Sequence, residues 1–361
     1  MTIKANDYIT ASPSQPQPPA DFAKPTFDVD LSLNESPFAP SEKAIEAYND
    51  AGKTLNRYPN YTSASLRGAL GKKYGIDETR IMCTAGSEQM LAFLARTYIA
   101  PGDEVIYPKY GFMIYKFNIA MAGATGVPVE HDDFKINVQY ILDAVTEKTR
   151  VVFLDNPGNP TGTYVPYDEI KRLREELRDD ILLVLDAAYA EFAHEDDFDS
   201  GLALVDEYDN VVVTRTLSKL YGLSGLRIGW TYGPEEIINT LLHLKGGFNV
   251  SIAAQAAGTA AVLDDEYANK VRIYSRKWID WLTKEVRALD VIVTPSVCNF
   301  ILIHFPQGRE QMKACDAYLK ENEINVGPVG IYQLDASLRI TVGTEDENHA
   351  FINAMKGFFG K

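Results

Sequence analysis

The chain has 361 residues and a formal net charge of −15, with 46% apolar and 24% charged residues. Such a length exceeds a single small core and fits one large plus one small domain of ordinary globular composition. The acidic balance supplies no basic field, which argues against nucleic acid or an anionic membrane as a main partner, although a few local arginines and helix N-termini can still hold a small anion.

Cys83, Cys298 and Cys315 are widely spaced and form no CxxC pair. Reduced, mostly buried thiols are therefore expected, not a disulfide framework or a zinc site. Histidines 131, 194, 243, 304 and 349 show no metal-ligand spacing. No apolar run reaches the ~18 residues of a membrane span. Met1 to Asp30 has no hydrophobic stretch of the secretory kind, so a soluble, cytoplasmic protein is the expectation. There is no GxSxG, Walker P-loop or GxGxxG.

In chain order, Pro13, Pro16, Pro18, Pro19 and Pro25 make residues 11 to 25 an extended arm or a tail, not a helix. Alternation begins near residue 80. Arg80 to Thr84 reads as a strand, and the helix opening at Thr84-Ala85-Gly86-Ser87-Glu88-Gln89 follows it directly. Exposed amides and the helix dipole there favour a phosphate, with a capping role for Ser87 compatible. Glu104 to Tyr107, Thr125 to Val129 and Arg150 to Leu154 are strand-like, with a helix from Gly111 to Met121 between the first two. Asn156-Pro157-Gly158-Asn159-Pro160-Thr161-Gly162 is a turn by composition, placed at the end of a buried strand. After a helix over Tyr167 to Leu177, Ile181 to Leu185 is a continuous apolar run, as a strand buried on both faces requires.

Asp186 ends that run. A carboxylate there either caps a loop or needs a cationic partner, and a protonated pyridine nitrogen is such a partner. Val211 to Thr216 leads into Ser218-Lys219-Leu220-Tyr221-Gly222-Leu223-Ser224-Gly225-Leu226-Arg227. A lysine amine can condense with an aldehyde cofactor, an arginine can clamp its phosphate, and Thr216 and Ser218 can add hydroxyl donors. Strands alternating with helices imply a mostly parallel sheet, with ligands beyond its carboxyl ends. Past residue 255 the pattern changes to a smaller α+β unit: a long helix from Asp265, then Phe300 to His304, a helix near Gln311, Leu338 to Val342 and a final helix. Arg339 inside that apolar strand matches a carboxylate or a phosphate.

The lysine run, the N-P-x-N-P-T-G turn, Asp186-x-x-Tyr189 and the Arg339 strand together resemble the class I and II aminotransferases, which use pyridoxal 5′-phosphate (PLP). The match runs from Asn34 to the end in the family's order. It implies an α/β chain of PLP fold type I, usually a homodimer. The expected division is a Pro-rich arm over 1–33, a large PLP-binding domain over 34–255 and a small domain over 256–361, with the first residues of the large part packing near the small one. By resemblance Lys219 holds the cofactor, Asp186 faces its ring nitrogen, and Asn159 and Tyr189 donate to its phenolic oxygen. Ser87, Glu88, Thr216, Ser218 and Arg227 surround the phosphate. Pro108-Lys109-Tyr110-Gly111 matches the segment whose aromatic stacks on the ring, which assigns Tyr110 that place unless it is a core tyrosine. In Asn56-Arg57-Tyr58-Pro59, Tyr58 would reach the phosphate of the partner subunit. Arg339 would bind the substrate anion.

Within the family, Asn34-Glu35-Ser36-Pro37, Arg57-Tyr58-Pro59, Phe248-Asn249-Val250-Ser251 and Asn299-Phe300 are most similar to histidinol-phosphate aminotransferases, enzymes of histidine biosynthesis. The implied reaction moves an amino group from an amino donor to a 2-oxo acid such as 2-oxoglutarate. One departure bears on the donor. Where that subfamily carries a phosphate-binding arginine, Ile324-Asn325-Val326-Gly327-Pro328-Val329 has Gly327. An aromatic amino acid is therefore an alternative donor, and a PLP-dependent decarboxylase or lyase an alternative chemistry.

Overall fold

The computed structural model describes residues 7–11 and 27–361. Most of the proline-rich stretch lies outside the described residues. Asp7–Ala11, within the span expected as an arm, is a short helix.

The larger of two main sheets has seven strands. Edge to edge they are Ile81–Thr84, Gly229–Tyr232, Val211–Thr216, Leu182–Asp186, Thr149–Asp155, Glu104–Pro108 and Thr125–Val129. From Val211–Thr216 to Thr125–Val129 each strand is parallel to the next. Gly229–Tyr232 runs antiparallel to both of its neighbours. Side chains alternate across the pleat. Val152, Leu154, Leu183 and Leu185 enter one core with helices Ala64–Tyr74, Tyr167–Glu176 and Ile252–Val262. Val151, Phe153, Leu182 and Val184 enter another with helices Ser87–Tyr98, Ile114–Met121 and Glu235–Leu242. Both faces are covered, and this is why the central strands read as unbroken apolar runs.

The second sheet has five strands, in the order Val29–Leu31, Ile324–Pro328, Ser337–Thr341, Phe300–His304 and Ile292–Thr294. Val29–Leu31 pairs parallel to Ile324–Pro328, and the remaining pairs are antiparallel. Among the described residues the chain thus begins its sheet structure in the small half, crosses to the large half, and returns. This departs from an arm ending at residue 33: three residues, of which Leu31 alone is buried, are too few to show a strand's alternation. The two cores part inside helix Asp265–Arg287 and not at residue 255. Ala268 and Val271 pack with the large core, whereas Trp278, Ile279, Leu282 and Val286 pack with the small one.

Candidate active site

Asp155, Asp186 and Thr216 are the last residues of three adjacent strands. Parallel pairing therefore brings them to the same edge of the sheet, where a cavity of about 530 Å³ opens between the two halves. Ser87, Glu88, Asn159, Asp186, Tyr189, Thr216, Ser218, Lys219, Arg227 and Arg339 all line it.

Asp186 is buried, with 3% of its surface exposed. Its carboxyl accepts from Tyr115 Oη at 3.1 Å and from Thr214 Oγ1 at 3.1 Å. Burial pushes its pKa up to about 6 against the pull of those hydroxyls. Both direct partners are neutral, so a cation entering the cavity at this carboxylate would relieve the desolvation.

Lys219 sits in the turn after the Val211–Thr216 strand, and its Nζ donates to the Leu33 carbonyl at 3.1 Å. Desolvation first, and then the positive charge of Arg339, lower its pKa to about 8. A useful fraction of the amine is thereby neutral, and nucleophilic, near neutral pH.

A cradle for an anion lies at one end. Helix Ser87–Tyr98 starts at Gly86, which has φ 83° and provides no side-chain cap. First-turn amides lack intrahelical partners and carry the positive end of the dipole. A Cβ at Gly229 would collide with the backbone of Gly86 and Ser87. At Gly86 it would stand 2.5 Å from Arg227 Nη2. Glycine at both positions thus lets the strand, the helix start and the guanidinium converge. Arg227 itself has φ 52°, and its Nη1 donates to Ser218 Oγ at 3.3 Å and to the Ser224 carbonyl at 3.2 Å. Thr216 Oγ1 donates to Ser218 Oγ at 2.9 Å. Glu88 is exposed at the rim; its amide suits an anion, its carboxylate does not.

Asn159 Oδ1 accepts from Arg339 Nη1 at 2.5 Å, which leaves the Asn159 amide nitrogen as the donor toward the cavity. Tyr189 Oη accepts from Asn34 Nδ2 at 2.8 Å, so its own proton is available to donate. Burial raises the Tyr189 pKa well above the usual phenol value and keeps that proton in place. Arg339 Nη2 donates to the Ser32 carbonyl at 2.8 Å, while its Nε is buried without a hydrogen-bond partner.

Two expected residues lie elsewhere. Tyr110 does not line the cavity. Its ring packs 4.7 Å from His131 and 6.0 Å from Phe134. The turn closed by Gly111 N donating to the Pro108 carbonyl at 2.7 Å reverses the chain, and Phe112 takes the cavity wall instead. Tyr58 is 79% exposed and stacks on Phe248 at 4.4 Å, outside the cavity of its own chain. Gly327 pairs in register with Arg339, and a Cβ on it would lie 3.6 Å from Arg339 Nη2. Position 327 therefore adds no second cation beside Arg339.

Sequence reasoning gave no cavity role to Leu33, Asn34, Phe112, Met113, Asp155 or Tyr332, all of which line it. Asn34 was visible within Asn34-Glu35-Ser36-Pro37. Asp155 and Phe112 adjoin the Asn156–Gly162 and Pro108–Gly111 motifs without belonging to either, and Leu33, Met113 and Tyr332 carry no chemical signature of their own.

The family model described as aminotransferase class I and II matches residues 28–355. Among curated relatives, a histidinol-phosphate aminotransferase of Rhodopseudomonas palustris (strain HaA2) is 45% identical over 332 residues, covering 92% of this chain and 91% of that protein. One from Paramagnetospirillum magneticum is 45% identical over 331 residues, 91% of each. In fold the chain is similar to a histidinol-phosphate aminotransferase of Sinorhizobium meliloti solved in complex with pyridoxal-5′-phosphate. The TM-score is 0.92 at 23% identity, over 100% of this chain and 98% of the other. A Thermus thermophilus aspartate aminotransferase tetra mutant matches with a TM-score of 0.84 at 20% identity, over 99% and 100%.

Proposed function

The chain belongs to the class I and II aminotransferase family, and on that premise we propose that it is a PLP-dependent transaminase that takes the amino group of histidinol phosphate and delivers it to a 2-oxo acid, with 2-oxoglutarate the first acceptor to test. The observation that carries this reading is one cavity lined by a lysine of lowered pKa, a buried carboxylate held by neutral hydroxyls, and an arginine at an uncapped helix start.

These groups fit PLP. Arg227, Ser218, Thr216 and the amides of Ser87 and Glu88 would hold its phosphate, as helix starts hold anions. Asp186 would face the ring nitrogen and stabilise its proton, and Asn159 and Tyr189 would donate to the phenolic oxygen. Bound there, the cofactor supplies an electron sink for the negative charge that develops at the substrate's α-carbon. Lys219 Nζ would be the amine that joins the cofactor and, once freed, would move the proton at the substrate's α-carbon. Arg339 would bind the substrate's anionic group in the two-pronged geometry of a guanidinium.

A homodimer in which Tyr58 of each subunit reaches the other's site accounts for a large aromatic left 79% exposed. A cytoplasmic enzyme of histidine biosynthesis is the matching setting. No helix among the described residues is long and apolar enough to cross a membrane.

Gly327 beside Arg339, with Phe112, Met113 and Tyr332 on the walls, favours a second reading in which an aromatic amino acid is the donor. A half-reaction screen decides between them. The PLP-loaded protein is mixed with histidinol phosphate, phenylalanine or tyrosine, and conversion to the pyridoxamine form is followed by absorbance. Fastest conversion by histidinol phosphate supports the first reading, and fastest conversion by an aromatic amino acid supports the second. Conversion by none of the three overturns both.

A further inference from the structure

Asp155 has no place in the functions assigned above, yet it stands beside Asp186 in the strand register and lines the same cavity. It is 3% exposed. One oxygen, Oδ2, accepts two backbone amides, Asn159 N at 2.9 Å and Phe112 N at 3.2 Å. Those amides belong to separate loops, one following the Thr149–Asp155 strand and the other following Glu104–Pro108. Each loop contributes to the cavity wall, the first with Pro157 and Asn159 and the second with Phe112 and Met113. The other oxygen, Oδ1, is buried without a hydrogen-bond partner. Gly111 makes room for it, since a Cβ there would lie 3.0 Å away.

We infer that Asp155 is a positioning residue that clamps the Phe112 turn to the Asn159 loop, so that the aromatic wall and the amide donor meet the cofactor ring as one rigid unit. A buried carboxyl is an expensive way to tie two amides unless the tie matters, because desolvation opposes its charge. Burial is in fact the largest influence on Asp155 and pushes its pKa up to about 7; the Asn159 amide opposes this and the Asp186 charge adds to it. The clamp is therefore hydrogen bonding by an oxygen, which a carboxamide can reproduce. Alanine cannot, and leaves two amides without their acceptor.

This inference rests on the cofactor reading, and the test separates the two. PLP is titrated into cofactor-free wild type, Asp155→Ala and Asp155→Asn. The readouts are Kd, visible circular dichroism of the bound ring and amide hydrogen exchange at Phe112 and Asn159. Asp155→Ala is expected to weaken PLP binding roughly ten- to a hundredfold, as loss of two hydrogen bonds implies, to alter the ring dichroism and to speed both exchanges. In a Phe112→Leu background the penalty is expected to shrink, because contacting residues couple. Asp155→Asn is expected to stay within about threefold of wild type with both amides protected. A merely structural role would lower the melting temperature and leave Kd and dichroism unchanged; that result for Asp155→Ala overturns the inference. Should the alanine variant fail to fold, tenfold weaker binding by Asp155→Asn with both amides still protected overturns it too, since charge and not the clamp would then matter. Wild type that does not bind PLP overturns the cofactor reading itself.

Discussion

Arg339 Nη1 lies 2.5 Å from Asn159 Oδ1, joining a strand of the small sheet to the loop that ends a central strand of the large one. The same guanidinium reaches the Ser32 carbonyl at 2.8 Å. Arg339 thus orients the Asn159 amide, and in the proposed function it would also meet the substrate anion. Arg339→Ala is expected to lower kcat/KM roughly ten- to a hundredfold, mainly through KM, as loss of a charge-assisted pair implies. Steady-state kinetics with the visible spectrum recorded in parallel checks this. Unchanged kcat/KM would remove Arg339 from the substrate site.

The acid dependence of Asp186 has a definite sign. Its pKa in the fold, about 6, stands above the ordinary 3.8, so the folded protein binds more protons than the unfolded chain between those values. Stability contributed by this group is present at the acid end and is lost as pH rises through 6. In cofactor-free protein, Asp186→Asn is therefore expected to be more stable than wild type by on the order of 2–3 kcal/mol above pH 7, with the gap closing toward pH 4. Denaturant melts across that range test it. The same variant is expected to bind PLP more weakly, because the ring nitrogen loses its counter-charge. A gap that widens toward acid would contradict the burial of this carboxyl.

Phe112 and Tyr110 are expected to separate cleanly. Phe112→Ala removes a cavity wall and is expected to weaken PLP binding about tenfold or more, in line with the loss of an aromatic contact. Tyr110→Ala loosens packing against His131 and Phe134 and is expected to cost melting temperature with little change in Kd. The opposite pattern would return the ring-facing role to Tyr110.

Lys219→Ala is expected to abolish the visible absorbance of the lysine-bound cofactor and to cut turnover by orders of magnitude. Shared sites add a sharper test. If Tyr58 serves the opposite subunit, mixing Lys219→Ala with Tyr58→Ala yields hybrids in which one site has both native residues. Activity is then expected to rise on mixing above that of either variant alone. No recovery in verified hybrids would place Tyr58 outside the neighbouring site.

Much of the site was legible because its chemistry needs uncommon residues in uncommon places. An aspartate ending an apolar run, a lysine among glycines and an arginine within a strand each oppose the local pattern, and all three converge on the cavity. The parallel sheet was legible from strands that are apolar on both faces. What stayed hidden follows from turns and from chain return. Whether Tyr110 or Phe112 faces inward depends on a reversal at Gly111 that the type of aromatic residue does not encode. Asp155 lies next to a turn motif whose glycines and prolines attract all the attention, and its value lies in bonds to the backbone, which any sequence possesses. The Val29–Leu31 strand was illegible because its partner, Ile324–Pro328, lies at the far end of the chain.

That early crossing also bears on how the protein can be taken apart. Ser32, Leu33 and Asn34 form a ceiling fastened to Arg339, Lys219 and Tyr189 in turn. A shortened recombinant version starting at residue 35 would keep every side chain named for catalysis and yet lose the roof over them, along with an edge strand of the opposite sheet.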